Sequence, residues 1–129
     1  NTYLEKYGYP KNLNDLNKHK FITYGRGAPS PVFNPDWTLK LGIKDNKKRK
    51  PVMKVNSVYG LLLAVQSGVG LAALPDYITF NVPNITKILP NEEGPKTETH
   101  FVYPASLKNV ARVTAFRNFI FSKVSEWKF

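Results

Sequence analysis

The 129-residue chain contains no cysteine. This absence excludes disulfide bonds, thiolate metal ligands and cysteine nucleophiles, and it fits a reducing compartment without proving one. Long hydrophobic runs are also missing, because no stretch approaches the roughly 18 apolar residues that a membrane-spanning helix needs. The segment NTYLEKYGYP has neither the basic start nor the apolar stretch of a signal peptide. We therefore expect a soluble protein, either one domain or a compact part of a larger one.

Acidic residues are scarce relative to basic ones. Nine Asp and Glu residues face nineteen Lys and Arg residues, so the formal net charge is +10, which attracts anionic partners. The densest basic run, KDNKKRK (residues 44–50), lacks the interleaved aromatic residues of a single-strand nucleic-acid groove. This run fits a solvated loop best, and a phosphate-contacting patch is the alternative interpretation.

Candidate catalytic and metal-binding groups are few. His19 and His100 lie far apart and show no metal-ligand spacing. Glu92 and Glu93 are adjacent in a turn rich in Pro, Gly and Asn, which predicts solvent exposure and not a glycosidase carboxylate pair. No G-x-S-x-G motif is present to expose a serine nucleophile. The sequence therefore predicts a protein that is not an enzyme and uses neither a metal ion nor a cofactor.

Short apolar segments alternate with turns and predict a series of short helices and strands. Segments TYLEKYG and NLNDLNKH predict two short helices, the second capped by Asn12 or Asn14. Segments KFITYG and PVMKV predict strands. Residues 57–67 carry apolar residues at helical spacing, with Asn56 or Ser57 as the cap, and VGLAALP after them predicts a buried strand.

Three further elements follow from periodicity. The alternation of residues 37–44 predicts a strand that forms a long hairpin or another paired arrangement with PVMKV, with residues 45–50 at its tip. The segment THFVYPA (residues 99–105) predicts another strand, and residues 109–129 predict a long final helix. The apolar stripe of that helix indicates a face toward the core, and a partner-binding face is the alternative. The stripe consists of Val113, Phe116, Ile120, Val124 and Trp127.

The glycine pair in QSGVG could be a phosphate-binding loop or a joint between a helix and a strand. A phosphate-binding loop follows a strand and precedes a helix, so that the helix N-terminus faces the anion. Here the predicted helix comes first and the strand second. We interpret Gly68 and Gly70 as a joint, and the helix end that favours an anion is the opposite one, at Asn56 and Ser57.

Polar residues follow two of the predicted strands. Tyr24 and Arg26 lie in the strand-to-loop turn TYGRG, and Asn56 and Ser57 follow PVMKV. Ligands of open α/β sheets bind beyond the carboxyl ends of the strands. Ordinary helix capping and loop structure explain each position taken singly. The shared location after strands makes a binding site an equal alternative.

Five segments in order resemble the effector-binding region of LysR-type transcriptional regulators. They are YLEKYGYPKNLNDLNKHKFITY, VNSVYGLLLAVQSGVGLAALPDYI, ITKILP, FVYP and RVTAFRNFIFSKV. The resemblance implies an α/β fold of the periplasmic-binding-protein-like type II class. Residues 1–91 would form its second subdomain, and residues 92–129 the crossover strand and C-terminal helix that return to the first. The rest of the first subdomain and the winged helix-turn-helix are expected to lie outside the chain.

The same resemblance implies a cytoplasmic, non-enzymatic sensing domain that binds a small molecule between its subdomains. It implies a homo-oligomer that reaches DNA only through the winged helix-turn-helix and does not bind membranes. The family's polar effector contact maps onto Asn56, with Ser57 beside it. The strand end that faces the cleft maps onto Tyr24 and Gly25, followed by Arg26. Asparagine stands where threonine or serine is frequent, which changes the hydrogen-bonding pattern offered to the effector.

Two other function classes are kept as alternatives. A solute-binding protein of a transport system shares the cleft but not the gene-control role. A nucleic-acid-binding module would use residues 47–50, and its affinity would fall steeply with salt. For the sensing domain we expect an anionic effector, because a helix N-terminus favours negative charge.

Overall fold

The computed structural model describes residues 2–25, 34, 36–44, 47–96 and 98–127. The chain divides into two compact units, residues 1–96 and residues 97–129. The first unit contains a small parallel sheet and several short helices, and the second contains one long helix. The fold is therefore a mixture of helices and strands, as the sequence predicts. The assignment of subdomains with a boundary after residue 91 stays a prediction.

The sheet of the first unit is built from two parallel strands. Strand β1 (Ile22–Tyr24) pairs with β2 (Met53–Val55), with Tyr24 opposite Val55. A single parallel bridge joins Phe21 to Leu71, beside the other edge of β1. The Ile22 N–H donates to the Leu71 carbonyl at 2.8 Å, and the Leu71 N–H donates to the Lys20 carbonyl at 2.8 Å. The predicted strand VGLAALP is thus reduced to one bridge.

The helices of the first unit are short except for one. Gly8, with φ of +84°, follows the end of the first helix. The Asn12 side chain accepts the N–H groups of Asn14 and Asp15 at 3.0 and 3.2 Å, so Asn12, not Asn14, supplies the polar side-chain acceptor of the second predicted helix. The α-helices are α1 (Thr2–Tyr7), α2 (Trp37–Lys40), α3 (Val58–Gln66) and α4 (Asp76–Thr79), and a 3-10 helix spans Asp15–Lys18.

Helix α3 confirms the helix predicted over residues 57–67. The Ser57 hydroxyl accepts the Gly60 N–H at 3.3 Å and caps its start. Gly68 follows the last turn with φ of +73°, while the Gly68 and Val69 N–H groups bond back to Val65 and Ala64. This pattern is a Schellman motif, in which glycine takes the left-handed conformation at little cost. The pair Gly68 and Gly70 is therefore a joint.

Two apolar clusters hold the first unit together. One joins the sheet to α3, and the other lies between the 3-10 helix, the start of β1 and α2. Burial of these side chains is the main contribution to stability, because apolar area removed from water contributes about 25 cal/mol per Å². The buried residues are Ile22, Tyr24, Leu61 and Ala64 in the first cluster, and Leu16, Phe21 and Leu39 in the second.

The strand predicted over residues 37–44 is wrong. Residues 37–40 form α2, and Gly42 turns the chain with φ of +73°. The hairpin is wrong for the same reason, since β2 pairs in parallel with β1. The side chain of Arg49 explains the difference, because its guanidinium donates to the carbonyls of Thr38 and Leu41 and so stabilises a folded turn.

The second unit consists of an irregular segment and α5 (Ala111–Ser125). The strand predicted over residues 99–105 is wrong, since described residues 98–104 have no regular secondary structure and a 3-10 helix follows at Ala105–Leu107. Phe101 contacts the rings of Tyr103 and Phe116 at centroid distances of 5.5 and 5.8 Å.

The final helix is confirmed, but its predicted core-facing stripe is not buried. Among the described residues of α5 none is buried, and Phe116, Val124 and Trp127 are 54%, 47% and 56% exposed. Helical periodicity predicts that the helix has an apolar face, but it does not predict which surface covers that face.

Candidate functional site

The carboxyl ends of β1 and β2 lie side by side. The Gly25 N–H donates to the Val55 carbonyl at 2.9 Å and extends the pairing by one residue. The Asn56 carboxamide lies against Gly25 where a Cβ would stand. The parallel pairing therefore brings together Tyr24, Gly25, Asn56 and Ser57, four of the five predicted site residues. Arg26 lies outside the described residues.

The first turn of α3 receives two acceptors from the site itself. The Ser57 hydroxyl accepts from Gly60 N–H, and the Tyr24 hydroxyl oxygen accepts from Val58 N–H. Free N–H groups at a helix start are what favour an anion there. Since two of them already have protein partners, the helix end alone offers less to an anion than the sequence suggested.

Tyr24 stays protonated in this environment. Burial raises the pKa of the Tyr24 hydroxyl, and the neighbouring Tyr77 raises it further, while the hydrogen bond from Val58 N–H lowers it. The ring is only 9% exposed and belongs to the cluster that packs the sheet on α3. Tyr24 is thus both a core residue and a polar group at the strand end.

The side-chain amide of Asn56 faces solvent. Its side chain is exposed, and no group in the described part of the chain forms a hydrogen bond with it. An amide offers two donors and one acceptor in one plane, so this position can recognise either a donor or an acceptor on a ligand.

The sequence analysis did not single out Tyr77, whose charge would raise the pKa of Tyr24. It lies in α4, which packs against α3, and it is 55% exposed. The sequence PDYI indicates only a short helix start after proline. Nothing in that pattern indicates an electrostatic effect on a residue so distant in the chain.

The basic run at residues 47–50 is engaged in the fold more than its sequence suggests. Arg49 donates to Asn17 Oδ1 through Nε at 3.0 Å and Nη2 at 2.7 Å, and its guanidinium stacks 5.2 Å from the centre of the Phe21 ring. Lys48 pairs with Asp36 at 3.3 Å. Two of the four cations therefore have partners within the protein, which favours a structural role over a phosphate-contacting patch.

A shallow cavity lies elsewhere in the first unit and includes none of the predicted site residues. Its empty volume, counting the solvent at its mouth, is about 330 Å³. It is mostly apolar and lies between α1 and residues 84–86. The lining residues are Thr2, Tyr3, Leu4, Val65, Gly70, Leu71, Asn84, Ile85 and Thr86. Three polar residues, Thr2, Asn84 and Thr86, are among them.

Other chemistry is sparse in the described residues. No three His, Asp or Glu side chains there come close enough together to bind a metal ion. Glu92 and Glu93 are exposed, as predicted. Within the same described ranges, no helix has the length and apolar content needed to cross a lipid bilayer.

Comparison with known proteins identifies the family. The family model described as LysR substrate binding domain matches residues 1–124. The chain belongs to the LysR substrate-binding domain family. A curated relative, described as an uncharacterized HTH-type transcriptional regulator of Haemophilus influenzae, is 34% identical over 108 residues, which are 80% of this chain and 36% of the relative. The chain thus spans about a third of that relative's length. No solved structure matches significantly.

These comparisons confirm the family that the sequence resembles. The match to the LysR substrate-binding domain covers both compact units, since it extends from residue 1 into α5.

Proposed function

We propose that this LysR-family chain is the effector-sensing part of a transcriptional regulator. It binds a small molecule at the carboxyl ends of β1 and β2, and it does not catalyse a reaction. The observation that carries the proposal is the meeting of Gly25 and Asn56 at the start of α3. The family and the transcriptional regulator among its relatives support the same role.

The fold proposed for the whole regulator is the periplasmic-binding-protein-like type II architecture. In it residues 1–91 supply the second subdomain, and residues 92–129 return to the first subdomain through α5. The exposed apolar face of α5 supports this arrangement, because such a face is normally covered in a folded protein.

The proposed ligand site consists of Tyr24, Gly25, Asn56 and Ser57, with Arg26 as a further candidate. An anionic effector fits the excess of basic residues. Because Ser57 and Tyr24 already satisfy two N–H groups of α3, the Asn56 amide and the side chains around it are proposed to contribute more than the helix end.

Regulation requires the effector to prefer one arrangement of the subdomains. A ligand that bound both arrangements equally would shift neither population, however tightly it bound. We propose that the effector changes the relative positions of the subdomains in a cytoplasmic homo-oligomer. This change would alter how winged helix-turn-helix domains elsewhere in the protein sit on DNA.

A thermal-shift screen of the full-length protein tests this function. The ligands are small carboxylates, amino acids and inorganic anions, each at a concentration well above the expected Kd. A ligand at about 100 times its Kd stabilises the folded state by about 2.7 kcal/mol. We expect at least one ligand to raise the melting temperature of wild type and of Asn91→Ala, an exposed asparagine control, but not of Asn56→Ala.

Two results would contradict the proposal. A ligand whose stabilisation persists in both Asn56→Ala and Ser57→Ala binds elsewhere. A screen without any stabilising ligand would contradict sensing of these three classes. Ser67→Ala is the matched control for Ser57→Ala, since Ser67 closes α3 through its backbone N–H only.

A further inference from the structure

Two lysine side chains converge on one tyrosine ring of α1. The Lys6 Nζ atom lies 5.5 Å from the centre of the Tyr7 ring, and the Lys20 Nζ atom lies 5.3 Å from it. Lys6 belongs to α1, whereas Lys20 lies just before β1, and the fold brings the two together. All three residues are exposed. An exposed pair of ammonium groups therefore shares one aromatic ring.

The Tyr7 ring and the Lys20 backbone are both attached to the core of the first unit. The centre of the Tyr7 ring lies 4.7 Å from that of Tyr3, which is only 6% exposed. The Lys20 N–H donates to the Tyr3 hydroxyl oxygen at 2.7 Å, and the Lys20 carbonyl accepts from the Leu71 N–H at 2.8 Å. Lys20 is thus positioned before any ligand arrives, which lowers the entropic cost of binding.

The positive potentials of the two ammonium groups overlap at this ring. Each Nζ atom lies closer to the ring centre than the Debye length, which is about 8 Å at physiological ionic strength. Hydrogen bonding to Lys20 and the charges of Lys20 and Lys6 lower the pKa of the Tyr7 hydroxyl. Glu5 precedes Lys6 in α1, but adjacent residues of a helix do not face each other. Cation–π contacts offset part of the repulsion between the lysines, and an anion between them would offset the rest.

We propose that Lys6 and Lys20, held on the Tyr7 ring, form a binding site for a divalent oxyanion such as a phosphate group. Two ammonium groups suit a divalent anion better than a monovalent one, because the attraction grows with the product of the charges. Lysine binds phosphate as a point charge and offers three N–H donors. A free phosphate ion and the phosphate of a larger molecule present the same chemistry to this site.

The oxyanion site is separate from the proposed effector site. Lys20 precedes the amino end of β1, whereas Gly25 and Asn56 lie beyond the carboxyl ends of β1 and β2. An extended chain rises about 3.3 Å per residue, so Lys20 and Gly25 lie roughly 16 Å apart. The inference therefore goes beyond the proposed function and does not depend on it.

Binding of inorganic phosphate to the full-length protein tests the inference. The line width of the phosphorus NMR signal measures binding, in a slightly alkaline buffer at constant ionic strength. Sulfate should compete with phosphate, and monovalent acetate should not. Glycerol phosphate distinguishes the two sources, since equal affinity indicates recognition of the phosphate alone and higher affinity indicates a larger phosphorylated ligand.

The lysine variants should lose affinity for phosphate. Lys6→Ala and Lys20→Ala should each weaken binding about threefold, and the double variant about tenfold, because each exposed ion pair contributes modestly. Lys20→Arg keeps the charge and should keep most of the affinity. Tyr7→Phe keeps the ring and should bind nearly as wild type does, whereas Tyr7→Ala should weaken binding about threefold because the ammonium groups lose their shared ring.

Lys54→Ala is the matched control, because it removes the same charge from an exposed lysine of β2. Lys54→Ala and Asn56→Ala should both bind phosphate as wild type does. Without ligand, the lysine variants should melt at the wild-type temperature, since these side chains are exposed.

The outcomes separate this inference from the proposed function. Equal weakening in Lys54→Ala and Lys6→Ala would mean that net charge alone attracts phosphate, which overturns the site. Binding that is lost in Asn56→Ala and unchanged in Lys6→Ala and Lys20→Ala overturns the inference and supports the proposed effector site. Absence of phosphate binding to wild type overturns the inference and leaves the effector site standing.

Discussion

Asn56 lies against Gly25 so closely that a Cβ at position 25 would collide with its carboxamide. The clash involves an exposed side chain that can rotate away, and not backbone. We therefore expect Gly25→Ala to change the free energy of unfolding by less than about 1 kcal/mol. The same substitution should turn the Asn56 amide and weaken ligand binding, measured by titration with a ligand found in the thermal-shift screen.

Gly70→Ala is the contrasting control. Its Cβ would lie 2.6 Å from the backbone carbonyl of Lys20, which is held in the bridge beside β1. Overpacking of this kind costs about 1–3 kcal/mol. Urea unfolding should therefore show the larger loss of stability for Gly70→Ala. The reverse order would contradict the described geometry at both glycines.

Ser57→Ala should destabilise the protein by about 1 kcal/mol, because the Gly60 N–H loses its side-chain acceptor at the start of α3. Ser57→Gly should cost only a few tenths of a kcal/mol, as is typical of this cap position. Ser67→Ala should be close to neutral. Chemical denaturation of the three variants checks the prediction, and a neutral Ser57→Ala would rule out the cap.

Arg49→Ala should destabilise the first unit by about 2–3 kcal/mol. The change removes charge-assisted hydrogen bonds to Asn17 and to the Leu41 carbonyl, and it removes the stacking on Phe21. Arg49→Lys should also lose stability, since a single ammonium cannot replace the planar guanidinium. Urea unfolding measures both effects.

The control for Arg49 is its exposed neighbour Lys50. Lys50→Ala removes the same charge and should leave stability nearly unchanged. Equal losses in Arg49→Ala and Lys50→Ala would mean that net charge, and not the contacts of the guanidinium, accounts for the effect.

Acid should destabilise the protein through His19. Burial lowers the pKa of His19, with Lys18 acting in the same direction and Asp15 opposing. Its Nδ1 atom is buried and has no hydrogen-bond partner in the described residues, and the ring lies 5.8 Å from that of Tyr3. The folded-state pKa of His19 lies below the unfolded value of about 6.5. The contribution of the neutral His19 ring to the free energy of unfolding is therefore fully present above that value. It is lost as the pH falls through the folded pKa.

Melting temperatures of wild type and His19→Gln between about pH 7.5 and pH 5 test this effect. The difference in melting temperature between wild type and His19→Gln should narrow or reverse toward low pH, because only wild type takes up a proton at this position. His100→Gln, at an exposed histidine, is the matched control. A wild-type curve parallel to that of His19→Gln would contradict the prediction.

Local patterns were sufficient for the elements whose neighbours in sequence supply their stabilising contacts. The hydroxyl cap at Ser57, the apolar spacing after it and Gly68 all act within α3, so its bounds followed from sequence. The segment KFITYG likewise formed β1. The candidate residues Tyr24, Asn56 and Ser57 came from the position of polar groups after strands, and Gly25 came from the family resemblance.

The same reasoning failed where a distant side chain decided the structure. The alternation of apolar and polar residues over 37–44 is a clear strand pattern. The structure instead has a short helix and a turn there, because Arg49 donates to the carbonyls of Thr38 and Leu41. The packing of α4 on α3 likewise joins segments that no local pattern connects.

The sequence by itself determined the family, the α/β character and the position of the candidate site, because motif order, strand ends and helix caps are local in the chain. Only the tertiary structure decided the parallel pairing of β1 with β2, the inward role of Arg49 and the contact between Gly25 and Asn56. These features join residues far apart in sequence. Their stability depends on hydrogen bonds and burial that exist only when the segments have packed together.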